Sequence, residues 1–208
     1  MLNNYKELEK IESEQGNSIS LFALSEKPNQ ILVIGVVHGD EPQGEYLINK
    51  YMEQTDKTNV LFIPCLNPDG RDLKRRTNSN KVDLNRNFPT KNWELSKKNK
   101  YYGGNTPASE IETKFLIDII EKYKPKSIIT LHTPYKIVNY DGPAKELAEK
   151  ISNIIGYPVE ESIGYSTPGS FGTYAGVERQ IPTITLEMDE TIDIDKLYEP
   201  VKIIFDNL

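Results

Sequence analysis

The sequence predicts an α/β domain built on a largely parallel sheet, and three observations carry that prediction. Apolar runs bounded by turn residues alternate with segments of helical period along the chain, the rhythm of βα units. A length of 208 residues suits a single hydrophobic core. A composition 37% hydrophobic and 27% charged belongs to a globular chain rather than a disordered or fibrous one.

The elements follow in order. Residues 18–23 and 31–37 read as strands. Residues 42–51 turn helical, with Pro42 suited to a first helical position because its missing N–H would find no partner there anyway. Residues 60–64 form the next strand, closed by Asn67-Pro68-Asp69-Gly70, which has the residues of a tight turn. Residues 71–104 are polar, rich in asparagine and without periodicity; connections of that length in a compact domain are usually functional. A helix is predicted over 107–123, capped by Thr106, with Ile111, Phe115, Leu116, Ile119 and Ile120 on one apolar face. A buried strand over 126–131, a helix over 144–154, a strand over 181–186 and a closing helix over 193–205 complete the pattern.

Bulk properties exclude several function classes. No apolar run approaches the roughly 20 residues of a membrane-spanning helix. Residues 1–16 are charged and lack the apolar stretch and cleavage site of a secretory signal. The single cysteine, Cys65, cannot form an internal disulfide and reads as a small buried hydrophobe; both features lead to the expectation of a cytoplasmic protein. The formal net charge of -6 opposes a phosphate backbone, and no basic helix supports a nucleic-acid partner. The basic cluster Lys74, Arg75 and Arg76 suits a small anionic substrate better than a polymer.

The chain has two histidines, and each follows an apolar run: residues 31–37 lead into His38, and residues 128–131 into His132. In open α/β sheets ligands bind beyond the carboxyl ends of the strands, so both imidazoles can converge there. Glu41, three residues after His38, falls where strand hands over to helix. One histidine at a strand end is ordinarily a satisfied, half-buried side chain. Two imidazoles and a carboxylate form a set that holds one zinc ion and leaves a position open for water, as catalytic zinc sites require. Such an ion polarises a carbonyl and activates water. Glu187 ends the apolar run 181–186 and lies near the same crevice; its simpler reading is a solvated strand terminus.

His38-Gly39-Asp40-Glu41, Asn67-Pro68-Asp69-Gly70, residues 82–89 (VDLNRNFP), Leu131-His132 and Thr185-Leu186-Glu187 resemble, in this order, the signature of the zinc carboxypeptidases of the carboxypeptidase A type. The resemblance implies one three-layer domain with a mixed, twisted sheet of about eight strands between helices, and one Zn2+ on His38, Glu41 and His132. It implies Glu187 as general base and later proton donor. Arg86 with Asn85 is similar to the pair that grips the substrate's terminal carboxylate, a task for a guanidinium fork. Arg76 matches the arginine that supports the developing oxyanion, with Arg75 the adjacent alternative. Asp83 resembles the carboxylate that orients a zinc histidine; a turn-capping aspartate is the competing account. Tyr165 stands near the separation from Glu187 at which the family places a mobile tyrosine, although one of 12 tyrosines is as easily explained by packing.

Residues 102–110 (YGGNTPASE) and 164–174 (GYSTPGSFGTY), with Asn92-Trp93 after the 85–89 segment, resemble the murein peptide amidase A branch of that family. The branch implies a cytoplasmic enzyme that cuts the γ-D-glutamyl–meso-diaminopimelate amide in recycled cell-wall peptides; Gly172 and its neighbours are candidates to line the diaminopimelate pocket. Lys81 departs from the pattern where glycine is expected before Val82-Asp83, and Met188 stands where leucine is usual. An aspartoacylase-like or succinylglutamate-desuccinylase-like deacylase shares the histidines, the glutamate and a similar 83–86 segment. A wall-peptide binding module without catalysis is the reading from a different class. Oligomeric state is not legible in the residues.

Overall fold

The computed structural model describes residues 4–27, 30–56, 59–162 and 164–208; of the charged segment 1–16, the first three residues lie outside this range. Eight strands form one mixed sheet in the order β1-β2-β4-β3-β5-β8-β6-β7. These are β1 (Lys6–Glu12), β2 (Ser18–Ala23), β3 (Ile31–Ile34), β4 (Val60–Ile63), β5 (Ser127–His132), β6 (Ile137–Asp141), β7 (Val159–Glu160) and β8 (Thr183–Glu187). The helices are α1 (Gln43–Gln54), α2 (Pro68–Asp72), α3 (Ile111–Tyr123), α4 (Lys145–Ile155) and α5 (Ile194–Asp206). The central strands β4, β3, β5 and β8 run parallel, whereas β1/β2, β2/β4 and β6/β8 pair antiparallel. The sheet is therefore mixed, as the family resemblance implies, and the expectation of a largely parallel sheet holds for its centre and for the β6/β7 pair.

Strand pleat sends alternate side chains to opposite layers. On one face Val33, Ile129 and Ile184 pack with Leu47 and Ile48 of α1, Ile151 of α4 and Val201 of α5. On the other, Leu32, Ile34 and Ile128 pack with Leu116 and Ile120 of α3 and with Phe171 and Tyr174. Helices thus cover both faces, and the site forms at one end of the sheet.

Several elements correct the sequence reading. β1, with the sequence KELEKIE, was not expected because an edge strand facing water can be charged along most of its length, which also discourages pairing with another chain. β6 and β7 were missed because five and two residues are too short to show alternation. β3 ends at Ile34, not at residue 37: Val36 adopts φ +51 and turns the chain out of the sheet. Asn67 does not open a tight turn but caps α2, its side-chain oxygen accepting from the Gly70 N–H at 2.9 Å. α3 starts at Ile111 rather than 107, and Thr106 does not cap it. Ala108, at φ +51, breaks the helical path, and its N–H is taken by the Asn87 carbonyl. Of the predicted apolar face, Ile111 is 42% exposed and the other four are buried. α1 begins one residue after Pro42, within the usual uncertainty of helix ends.

Candidate active site

The parallel strands deliver their carboxyl ends to one rim, and the loops that leave them carry the candidate residues. His38 lies four residues beyond β3 and is 3% exposed; His132 is the last residue of β5, inside the strand rather than after it, and is 2% exposed. Glu41 bridges them, with Oε1 2.9 Å from His38 Nδ1 and Oε2 2.8 Å from His132 Nδ1. The two Nδ1 atoms are 3.2 Å apart.

This donor set fits a zinc ion. Bonds of 2.0–2.1 Å to a tetrahedral centre put neighbouring ligand atoms about 3.3 Å apart, close to the separations here. Two imidazole nitrogens and a carboxylate turned toward one point in a buried setting call for a cation among them. Among the described residues this is the group of histidine, cysteine and acidic side chains close enough to hold a metal.

Supporting contacts explain the sequence motifs. Gly39 and Gly70 touch backbone to backbone: a Cβ on Gly39 would lie 2.0 Å from the Gly70 carbonyl carbon. Asn67 Nδ2 donates to the carbonyls of Val37 and Arg76 at 3.4 and 3.3 Å, binding the His38 loop to the arginine loop. Asp83 caps a turn and also lies against the His38 ring. Its Oδ1 accepts from the Asn85 N–H at 3.0 Å, capping the short 3₁₀ turn Leu84–Arg86, and faces His38 Nε2 at 3.3 Å. Its Oδ2 accepts from Arg76 Nε at 2.8 Å. Burial works against ionisation of Asp83, but His38 and Arg76 outweigh it and hold its carboxyl below the usual range.

Arg76 is the arginine turned to the cleft, with a nitrogen 3.8 Å from Glu41 Oε1. Arg75 donates instead to the carbonyls of Thr77 and Asn78. Arg86 is 8% exposed and donates to the Asn85 carbonyl at 2.6 Å, while Asn85 Oδ1 accepts from the Phe171 N–H at 2.8 Å. Glu187, in register with His132, is 7% exposed, and its Oε2 has no hydrogen-bond partner. Burial, with Glu41 as a like charge nearby, pushes its carboxyl up to about 8; a cation among the three donors would draw it down again. Tyr165, 49% exposed, stands at the rim of the cleft.

The cleft, about 230 Å³, is lined by His38, Glu41, Arg76, Asn85, Arg86, Tyr165 and Glu187. Sequence reasoning missed its deep end. β6 runs antiparallel to β8 and pairs Asn139 with Thr185 and Asp141 with Thr183. Asp141 therefore lies four residues deeper than Glu187, on the order of 13 Å along the strand. Burial alone pushes its carboxyl up to about 6. Gly172 and Gly176 make room for it, since a Cβ at either would sit 2.1 or 2.4 Å from Asp141 atoms. Only the Gly172 segment was legible; a lone aspartate in an unpredicted strand gave no signal.

The profile of the zinc carboxypeptidases matches residues 4–154. Murein peptide amidase A of Vibrio campbellii is 33% identical over 174 residues, covering 76% of this chain and 68% of the relative. The protein of that name from Escherichia coli K12 is 31% identical over 157 residues, covering 69% and 64%. Among solved structures, the murein-tripeptide amidase MpaA of Escherichia coli O157 superposes with a TM-score of 0.86 at 27% identity, over 98% of this chain and 90% of that one. Thrombin-activatable fibrinolysis inhibitor shares the fold at 19% identity and a TM-score of 0.74. With the metal donors brought together at the rim of a mixed eight-stranded sheet, the chain belongs to the zinc carboxypeptidase family of metal-dependent amide hydrolases.

Proposed function

We propose that this enzyme hydrolyses the amide between γ-D-glutamate and meso-diaminopimelate in murein tripeptide during cell-wall recycling in the cytoplasm. The observation that carries the reading is Asp141, a half-buried carboxyl that lines the cleft four residues along the strand from Glu187 and, among the described residues, forms no ion pair. A long leaving residue whose far end bears an ammonium group matches that depth and charge, and diaminopimelate is such a residue. The names of the relatives at 31–33% identity point the same way.

His38, Glu41 and His132 would hold the zinc ion, which would supply Lewis acidity toward the carbonyl and the attacking water. Glu187 takes the proton of the attacking water and passes it to the leaving amine. Arg76 faces the charge that develops on the carbonyl oxygen. Asn85 and Arg86 hold the α-carboxylate of the leaving residue. Asp83 fixes the ring of His38, and Tyr165 covers the bound peptide.

The test is incubation of the zinc-loaded protein with L-alanyl-γ-D-glutamyl-meso-diaminopimelate and assay of free diaminopimelate. Release supports the reading. An enzyme that leaves the tripeptide intact while deacylating an N-acyl amino acid overturns it.

A further inference from the structure

A basin of about 490 Å³ opens beside the catalytic cleft, lined by Arg75, Arg76, Lys81, Lys98, Lys100 and Tyr102 together with neutral residues and no acidic one. It shares Arg76 and Lys100 with the cleft, but not Asn85, Asp141 or Gly172. It therefore extends from the Arg76 side, away from the end assigned to the leaving residue.

Arg76 is neutralised by Asp83. Among the described residues, Arg75, Lys81, Lys98 and Lys100 form no ion pair. The guanidinium of Arg75 is anchored on the carbonyls of Thr77 and Asn78, which fixes its position without cancelling its charge. The ammonium groups of Lys98 and Lys100 lie 5.7 and 5.0 Å from the rings of Tyr102 and Tyr101. Four uncompensated cations around one concavity, on a chain of net charge -6, create a local field that attracts an anion.

Lys81 gives an independent observation. Asn78 shapes its turn: Asn78 Oδ1 accepts from the N–H groups of Asn80 and Val82 at 3.1 Å each, and the Asn78 carbonyl accepts from Lys81. The turn places Lys81 at φ +62, where glycine sits at lower cost. A lysine occupies the position, with its charge at the basin.

We propose that the basin is a subsite for a carboxylate carried by the acyl part of the substrate, a few bonds from the scissile carbonyl, as a γ-linked glutamyl residue carries its free α-carboxylate. The identity of that acyl group rests on the function proposed above; the preference for an anion there does not. Lys81, Lys98 and Lys100 would set this preference jointly, so the enzyme would discriminate on both sides of the bond.

Calorimetric titration of the zinc-loaded protein with L-alanyl-D-glutamate and L-alanyl-D-isoglutamine tests it, because the two ligands differ in a carboxylate against a carboxamide. The acid should bind about tenfold more tightly, the order expected of several partly exposed cations acting together. In Lys81→Asn/Lys98→Gln/Lys100→Gln, and in Lys98→Gln/Lys100→Gln where the loop turn is untouched, the ratio should fall toward one. Rising salt should erode it in the unmodified protein. Equal binding of acid and amide, binding of neither, or a preference that survives in both variants overturns the proposal. Tripeptide hydrolysis is read separately, so a protein that ignores tripeptide but prefers the acid loses only the proposed function.

Discussion

His132 and Glu187 close neighbouring parallel strands in register, so an imidazole and a carboxyl group leave the sheet side by side at the same rim. Neither depends on a flexible loop for its position. Strand pairing thereby fixes the two groups proposed as metal donor and proton acceptor.

Glu187→Gln keeps the size and polarity of the side chain but cannot take a proton. Turnover should fall by roughly 10²–10⁴-fold. Zinc content, measured on the same sample by elemental analysis, should remain at one ion per chain, because Glu187 is not among the three donors. Loss of zinc together with activity would contradict the separation of roles.

Zinc should also raise the melting temperature of the apoprotein, since a ligand that binds only the folded state stabilises it by mass action. His132→Ala removes one donor of the set, and the zinc-induced shift in a thermal melt should shrink or vanish. A shift of equal size in the variant would place the ion elsewhere.

Asp83→Asn leaves a group that can still cap the Leu84–Arg86 turn but carries no charge toward His38 and Arg76. Zinc affinity, from competition with a chromogenic chelator, should weaken by roughly 10–100-fold. Unchanged affinity would leave Asp83 as a turn cap.

Glu112 offers a pH test remote from the metal. It is 1% exposed, and burial, reinforced by Glu110 and Asp69, pushes its carboxyl up to about 7. The folded state thus holds the proton more tightly than the unfolded chain does. Its contribution is favourable at pH below the unfolded value near 4.5 and is lost as pH rises toward 7, a difference of up to about 3 kcal/mol. Denaturant titrations should show Glu112→Gln gaining stability relative to the parent between pH 4.5 and 8. A difference that does not change with pH would mean that Glu112 does not titrate in this window.

The central strands and amphipathic helices were legible because their apolar periodicity is strong, as in residues 31–34 and 115–120. So was the grouping of His38, Glu41 and His132 as a candidate metal set, because their residue types are scarce: with two histidines in the chain, pairing them needed no geometry. Arg76 and Arg75 could not be separated in the sequence, because adjacent residues in an irregular loop follow no period; hydrogen bonds to Asp83 and to backbone carbonyls separate them. Asp141 and the short strands β6 and β7 were invisible for a related reason. Short strands show too few alternations, and the depth of a side chain along a strand exists only once the strands are paired.

The backbone contact of Gly39 with Gly70 constrains how this enzyme can be re-engineered. The loop that leaves β3 and the helix α2 that follows β4 are locked there with no space for a side chain, so neither can be lengthened or grafted alone without disturbing His38 and Glu41. Redirecting the catalyst to other peptides is better attempted at Lys100, Tyr101, Glu161, Ser162, Tyr165 and Thr167, which line the cleft from outside this lock.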